Sequence, residues 1–388
     1  MTTSLATTRQ QPLLPVRSTQ KSPAHRFLQV FGIALLVALA IIGSRTNSFR
    51  EGQLTQALIY ASAIAGLNLA TGYTGMLSIG HSAFFGIGAY TTGILVSEHN
   101  WEPLVTFLPA LGICFVFGLI VGLPALRIRG INLALVTLAL AVAFPEVIDR
   151  FPGVTGGTQG LNIPLLQLLP PKWTGISIAD RFAYYYWIAA FLLALVLVVC
   201  ANMTRGRTGL AMKAIRDRET AAAAVGVNPA WAKVLVFGVS AALTGVAGSV
   251  FAMYLGSLSA DASFTLTLSI TLVTGLVIGG VATVIGPIIG GLAVIFIPYW
   301  TENLRQGETE GLFFGVILIV LMFVMPDGLV GFAVRISRHV LSVDPQPPKG
   351  AGAHRLAPLV PPTSEHHTEN GGKEMTPLQR PTQAIPPH

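Results

Sequence analysis

The chain has 388 residues, of which 52% are hydrophobic and only 11% charged, and it carries a net charge of +7. Because a soluble domain has about 25% charged residues, too few charges remain here to cover a globular surface in water. Lipid is therefore expected to surround most of the chain. The positive net charge indicates Lys and Arg residues retained in cytoplasmic loops. We therefore expect no nucleic-acid partner.

Both ends of the chain are predicted to be disordered tails. Residues 1–25 and 341–388 are rich in polar residues and Pro, and they cannot bury enough apolar area to offset the entropy cost of ordering. The His residues of the second tail lack zinc-type spacing, so we expect no metal site there. Residues 26–340 form the predicted transmembrane domain.

Ten apolar segments within that domain are predicted to be membrane helices. The first, residues 27–43, could instead be a cleaved signal peptide, but its apolar run exceeds the usual signal core and we favour a retained helix. The other nine lie near residues 53–71, 77–97, 103–125, 131–148, 182–201, 232–254, 267–283, 286–300 and 311–325. Spanning takes about 20 residues, so the shorter segments could be tilted, broken or re-entrant. The predicted fold is an all-α, polytopic helical bundle of about ten transmembrane helices with Gly-rich broken helices.

A glycine-rich break interrupts the segment from residue 53 to residue 97. One continuous helix of that length would be about 67 Å long, so the chain must turn, and residues 72–75 (GYTG) are the natural place. Asn68, Thr71, Ser78, His81 and Ser82 flank this first break and are candidate residues of a transport pathway. For His81, a neutral imidazole that bonds to a neighbouring helix is the alternative. Freed backbone groups at a broken helix are tolerated only against protein or a water-filled cavity.

A second break is predicted at residues 275–291, where paired glycines surround Pro287. Corresponding interruptions in two halves of a transporter point to a central pathway. Glycines spaced four residues apart also let helices approach closely, and we read these pairs as packing sites. The pairs are Gly118 with Gly122, Gly275 with Gly279, Gly286 with Gly290, and Gly311 with Gly315.

Residues 201–230 form a basic loop between two apolar segments that contain no charged residue. Leu210, Ala211, Ala214 and Ile215 are predicted to share one helical face, with Lys213, Arg216 and Asp217 on the other. A second helical piece follows from Glu219, and Gly226 suits the left-handed conformation after its end. Asn228 and Pro229 predict the N-cap and first residue of the next helix. The loop either docks a partner or merely sets topology.

The distribution of basic residues predicts the orientation. With ten spans, the side that holds the basic loop also receives both termini and most Lys and Arg residues, so both termini are predicted to be cytoplasmic. The other side receives only Arg45, Arg50, Arg150, Lys172, Arg181 and Arg305.

Several catalytic motifs are absent from the sequence. No GxxxxGK[ST] phosphate loop, HExxH or GxSxG occurs. The apolar spans carry almost no acids, although ion-coupled transporters often place one there; Glu146 lies near a helix end. An ion-coupled secondary transporter and a membrane-embedded enzyme therefore remain the weaker alternatives.

Several segments together resemble the membrane-spanning subunits of ABC importers for branched-chain amino acids, of the LivM type. They are residues 71–90 (TGYTGMLSIGHSAFFGIGAY), 126–139 (LRIRGINLALVTLA), 155–161 (TGGTQGL), 214–228 (AIRDRETAAAAVGVN), the glycine pattern of 279–291, and 326–331 (PDGLVG). Permeases for urea or short amides look similar, so the cargo stays open among these classes.

The resemblance implies that this chain is a non-enzymatic permease subunit of the cell (plasma or inner) membrane. Within the cytoplasmic loop 202–230, residues 214–228 would be the coupling element, with coupling residues Arg216, Asp217, Glu219, Ala221, Ala222 and Gly226. Thr155, Gly156 and Gly157 are the candidate outer-face contact. The implied partners are a second, LivH-like permease, two ATP-binding subunits and an extracytoplasmic solute-binding protein. No cofactor is expected in this chain, because the partner subunits would use the ATP.

Overall fold

The computed structural model describes residues 48–124, 131–171, 181–304, 315, 319 and 328–332. Its helices are α1 (Ser48–Leu67), α2 (His81–His99), α3 (Phe107–Gly122), α4 (Ile131–Arg150), α5 (Pro152–Thr155), α6 (Arg181–Arg205), α7 (Arg207–Asp217), α8 (Glu219–Ala224), α9 (Pro229–Leu255), α10 (Ala260–Ser263), α11 (Leu266–Gly279) and α12 (Gly286–Leu304). A π-helical segment, Asn68–Tyr73, extends α1, and 3-10 turns cover Pro103–Thr106, Gly157–Gln159 and Leu165–Leu168.

The predicted all-α membrane class is confirmed. In the described ranges six helices are long and apolar enough to cross a membrane: Phe49–Tyr73, Pro103–Gly122, Asn132–Arg150, Arg181–Arg205, Pro229–Leu255 and Ala260–Gly279, with Gly286–Trp300 as a shorter apolar helix. Eight of the ten predicted segments fall in the part of the chain that the structure describes. Each of the eight coincides with a helix, and segment 77–97 corresponds to α2. Segment 27–43 and, apart from residues 315 and 319, segment 311–325 lie outside the described residues. The count of ten therefore stays a prediction, as do the two tails.

Helix α9 lies at the centre of the bundle. It packs most extensively against α2 and α3 and also contacts α1, and other helices cover almost all of α1 and α9. Helices α3 and α4 leave most of their surface uncovered, with exposed apolar side chains such as Leu108, Phe117 and Ile120. Since such a face is unfavourable in water, these two helices suit the lipid boundary or a second membrane subunit.

Close backbone contacts through glycine set the crossing of α2 and α9. A Cβ atom on Gly88 would collide with the Gly245 carbonyl, and one on Gly248 would collide with the Phe85 carbonyl. Only glycine lets the two backbones approach so closely. Helices α11 and α12 meet in the same way through the Gly275–Gly279 and Gly286–Gly290 pairs, so the predicted packing role of these pairs is confirmed.

Both predicted breaks are present. The chain leaves the helical path after Tyr73 and resumes it at His81, four residues later than the predicted start, and α11 ends at Gly279 before α12 begins. An unpredicted element lies elsewhere, where the two-residue strands β1 (Leu161–Asn162) and β2 (Ser257–Leu258) pair antiparallel with Leu161 opposite Leu258. This pairing ties the loop after α4 to the end of α9.

Candidate functional site

At the first break, carbonyl groups at the end of α1 and its π-helical extension accept hydrogen bonds from residues beyond the helix, although a helix end normally leaves such groups unpaired. The Thr74 hydroxyl donates to the carbonyls of Leu69 and Ala70, at 2.9 and 2.8 Å. The Met76 N–H also donates to the Ala70 carbonyl, at 3.0 Å. The Gly72 carbonyl accepts a 2.6 Å hydrogen bond from Nη1 of Arg216, which belongs to α7. A cation at this end also interacts favourably with the dipole of α1.

Asn68 joins the first break to the second. This side chain is buried, its Nδ2 donates to the Thr283 carbonyl at 2.7 Å, and its Oδ1 accepts from the Ala282 N–H at 2.9 Å. Ala282 has φ of 59°, a left-handed conformation that is uncommon outside glycine. Both hydrogen bonds of Asn68 therefore hold the backbone of the second break. One is made at the N–H of the left-handed Ala282 and the other at the carbonyl of the next residue, Thr283.

His81 occupies the start of α2 and is fully buried against α9. Its Nδ1 lies 2.8 Å from the Ser78 Oγ and its Nε2 lies 2.8 Å from the Ser240 Oγ. The Ser240 hydroxyl donates to the Gly66 carbonyl at 2.6 Å, so its single hydrogen is used and its oxygen must accept from Nε2–H. Ser78 can then donate to Nδ1, which gives a neutral imidazole that bonds a neighbouring helix.

The remaining pathway candidates differ in how their hydroxyl groups are paired. The Ser82 Oγ accepts a 2.7 Å hydrogen bond from Ser269 on α11. The Thr71 Oγ1 is buried but has no partner among the described residues. Asn68 and Thr71 thus lie in the π-helical segment at the breaks, while Ser78, His81 and Ser82 lie at the start of α2. Their role in a transport pathway stays a prediction.

The basic loop folds as two short helices. Helix α7 ends at Asp217, Arg218 is extended (φ of −152°), and α8 begins at Glu219. Gly226 has φ of 86°, and the Asn228 Oδ1 accepts from the Trp231 N–H at 3.3 Å with Pro229 first in α9. The predicted helix–break–helix order, the left-handed glycine and the Asn228 cap are all confirmed.

The face assigned to α7 needs one correction. Leu210 is 70% exposed, whereas Gly209, Met212 and Ile215 are buried. The prediction placed Leu210 on one helical face with Ile215, but in α7, which packs against α6, Met212 is buried together with Ile215 and Leu210 is not. The loop therefore exposes a large apolar side chain at Leu210.

An ion pair fixes α8 against α9. The Lys233 Nζ lies 2.8 Å from Oε2 of Glu219, and both side chains are mostly covered. Of the other predicted coupling residues, Ala222 is buried, whereas Asp217, Ala221 and Gly226 are exposed. Arg216 is also exposed, although its guanidinium bonds to the Gly72 carbonyl.

Thr155, Gly156 and Gly157, the candidate outer-face contact, form a tight turn after α4. The Thr155 hydroxyl donates to the Ile148 carbonyl at 2.7 Å and accepts from the Gly157 N–H at 3.2 Å. Gly156 and Gly157 both have positive φ. The hydroxyl is thus occupied within the turn, and the neighbouring Thr158 and Gln159 are the exposed side chains. Contact with an outer partner stays a prediction for this turn.

Sequence reasoning missed the residues that connect these parts. Ser240, Lys233 and Thr283 lie in apolar or Gly-rich runs and have no local signature. The one available signal was Arg216 itself, because a basic residue near a helix terminus often bonds free carbonyl groups. Its partner, more than a hundred residues earlier in the chain, could not be inferred from spacing.

Comparison with known proteins decides the family. Residues 50–322 match the family described as "Branched-chain amino acid transport system / permease component". The chain belongs to this family.

Two groups of relatives resemble this permease. It is 29% identical over 326 residues to the high-affinity branched-chain amino acid transport system permease protein LivM of Escherichia coli (strain K12), covering 78% of this chain and 75% of that relative. LivM of Salmonella typhimurium (strain LT2) matches equally well. Permease protein LivH of Escherichia coli (strain K12) is 22% identical over 287 residues, covering 70% of this chain and 91% of that relative.

These relatives are transport permeases rather than enzymes, and the apolar helices make this permease a multi-pass membrane protein. No solved structure matches the chain.

Proposed function

We propose that this chain is a transmembrane permease subunit of an ATP-driven importer for branched-chain or related amino acids. Substrate would cross by alternating access, and the energy would come from ATP-binding subunits that dock on the coupling element, residues 214–228. Family membership supports the transport of such amino acids. ATP is used only by the partner subunits in this proposal.

The observation that carries the coupling role is the built connection between the basic loop and the helix breaks. Arg216 of the loop donates to the Gly72 carbonyl, and the Glu219–Lys233 ion pair holds α8 against the central helix α9. A loop that merely set topology would need neither contact. A docked partner that moved α7 or α8 would act directly on the spans.

The outer surface of the loop suits a protein partner. Leu210, Val225 and, just after the loop in α9, Trp231 are exposed apolar side chains. Arg207, Lys213 and Arg218 of the same loop are exposed as well. Interfaces combine apolar or aromatic anchors with Arg in this way. The likeness to both LivM and LivH relatives supports a second permease subunit, and a solute-binding protein would approach the opposite face.

The orientation with both termini and the basic loop in the cytoplasm agrees with the contact between Arg216 and the first break. The first break and the basic loop meet through Arg216, as they must if residues 53–97 cross the membrane twice. Both termini are then cytoplasmic in a ten-span chain.

A pathway with few charged groups would suit a zwitterion with an apolar side chain.

The docking role can be tested at Ala221, an exposed residue of α8. An Ala221→Arg substitution places a long cation on the outer face without filling any buried space, and Ala221→Ser serves as the matched control. We expect affinity-tagged Ala221→Arg protein to lose most of its co-purifying ATP-binding subunits and its ATP-dependent leucine uptake, while the serine variant keeps both. Normal co-purification and uptake in the arginine variant would refute docking on this face.

A further inference from the structure

Three segments that are far apart in the sequence meet at one end of the bundle. Arg216 of α7 bonds the Gly72 carbonyl at 2.6 Å, and its Cγ would lie 3.1 Å from a Cβ on Gly75. A Cβ on Gly72 would touch both the Asn68 side chain and the Ala282 nitrogen. Asn68 in turn bonds Ala282 and Thr283. A continuous set of short contacts thus runs from the basic loop to both breaks.

A fourth segment closes on the second break. Gly328 has φ of 73°, and a Cβ on it would lie 2.5 Å from the Gly280 Cα and 2.7 Å from the Val277 carbonyl oxygen. The second break therefore lies between Asn68 on one side and the Gly328 backbone on another. Backbone packed this tightly moves as a unit or between discrete arrangements, because packed interiors are not continuously deformable.

The second break is held in a conformation that its own residues do not favour. Ala282 has a left-handed backbone (φ of 59°) with a Cβ atom that disfavours it. Such a residue persists only when surrounding contacts fix it, and here the contact at its N–H is Oδ1 of Asn68. Withdrawal of Asn68 would leave Ala282 free to leave the left-handed region, so opening would relieve strain.

We infer that the π-helical segment and the second break form one gate, that Asn68 latches it, and that Arg216 is the positioning residue through which the coupling element moves it. This inference rests on the proposed function for the source of the movement. In the arrangement described, the latch is closed, since both hydrogen bonds of Asn68 are made. A shift of α7 pulls the Gly72 carbonyl, displaces Asn68 next to it, and releases Ala282 and Thr283.

Arginine suits this task better than lysine. Its rigid planar guanidinium holds the Gly72 carbonyl at a fixed direction, whereas a lysine ammonium on a flexible stem does not. The guanidinium of Arg216 is the group of the coupling element that donates to the Gly72 carbonyl in the described part of the chain. Arg216→Lys is therefore a graded variant between the native residue and Arg216→Ala.

A distance measurement on the full chain tests the latch without any partner. Spin labels are attached at Leu77→Cys and Val281→Cys, two exposed positions beside the two breaks, while native Cys114 and Cys200 are buried and label poorly. We expect Arg216→Ala and Asn68→Ala to broaden or shift the distance between the labels. Lys213→Ala, at an exposed residue of the same helix outside the coupling element, should leave it unchanged. An unaltered distance in both Arg216→Ala and Asn68→Ala would overturn the inference.

A second measurement uses the assembled transporter in proteoliposomes and compares leucine uptake with ATP hydrolysis. Arg216→Ala should keep its ATP-binding subunits but transport about tenfold less leucine per ATP, in the range of typical coupling between sites, with Arg216→Lys in between. A native uptake-to-hydrolysis ratio in Arg216→Ala would overturn the role of Arg216. If the wild-type chain itself recruits no ATP-binding subunit, the proposed function fails, and the distance measurement alone decides whether the gate exists.

Discussion

Thr71 is the pathway candidate whose hydrogen-bonding capacity is unused. The hydroxyl groups of Ser78 and Ser82 and the amide of Asn68 each have a partner inside the protein, whereas the buried Thr71 Oγ1 has none among the described residues. A buried polar atom without a partner costs free energy. An unpaired Thr71 hydroxyl beside the gate is explained if a transported molecule supplies the missing hydrogen bond.

Thr71→Val is expected to leave thermal stability unchanged or slightly raised, because it removes an unpaired polar group without changing the shape of the side chain. Leucine uptake should fall about tenfold, the loss typical of one missing hydrogen bond of roughly 1.4 kcal/mol. Thr74→Val is the matched control: it removes a hydroxyl that bonds the carbonyls of Leu69 and Ala70, so it should lower stability. A Thr71→Val protein that transports normally would exclude a direct contact.

His81 links α2 to α9 through Ser240, and this predicts a structural cost when it is replaced. His81→Leu leaves the Ser78 hydroxyl buried without its partner, so the free energy of unfolding should fall by about 1–3 kcal/mol. The measurement is thermal unfolding in detergent, with His99→Leu at the exposed end of α2 as control. A His81→Leu protein that is fully stable yet cannot transport would favour a pathway role instead.

The two-helix fold of the basic loop depends on the turn at Gly226. The turn joins α8 to α9 with φ of 86°, and no atom lies within 4 Å of a Cβ built there. Substitution therefore acts through backbone strain alone, of about 1–2 kcal/mol for a residue with a Cβ.

Gly226→Val is expected to displace α8 and to reduce both the co-purification of ATP-binding subunits and leucine uptake. Gly226→Asn should retain most of both, since asparagine tolerates left-handed backbone better than a β-branched residue does. Co-purification from equal amounts of membrane-inserted protein measures the effect. Equal losses in the valine and asparagine variants would show that the backbone conformation of this turn is not what matters.

Local chemistry explains which elements the sequence could predict. Apolar runs of near-membrane length predicted the helices, and Gly226, Asn228 and Pro229 predicted the turn because caps depend on neighbouring residues. The face of α7 was misassigned at Leu210 because several apolar residues fit either face, and packing against α6 decided between them. The contacts of Asn68, Arg216 and Lys233 join residues distant in the chain, which no periodicity encodes.

The described helices pack around one central helix, α9. Helix α9 begins at the coupling element, carries Lys233 and Ser240 on its way, and ends at the strand pair that holds the loop after α4. Its contacts with α1, α2 and α3 are close and depend on glycine. Movement at the basic loop can therefore reach both breaks and the opposite end without passing through lipid-facing helices.

The apolar segments carry almost no acids, with Glu146 near the end of α4 as the exception, and this agrees with the proposal that the permease has no ion-driven power source of its own. In this account the chain is a gate, and ATP hydrolysis by docked subunits supplies the free energy for accumulation. Among the described residues, the buried polar side chains of Asn68, His81 and Ser82 hydrogen-bond to other segments of the bundle.

The most direct test reconstitutes the purified chain in vesicles, alone and together with a second permease, ATP-binding subunits and a solute-binding protein. Accumulation of radiolabelled leucine is measured with imposed proton or sodium gradients and with ATP. We predict no accumulation by the chain alone under either gradient, and ATP-dependent accumulation by the full assembly. Concentration of leucine by vesicles that contain only this chain, with no nucleotide-hydrolysing subunit, would contradict the account.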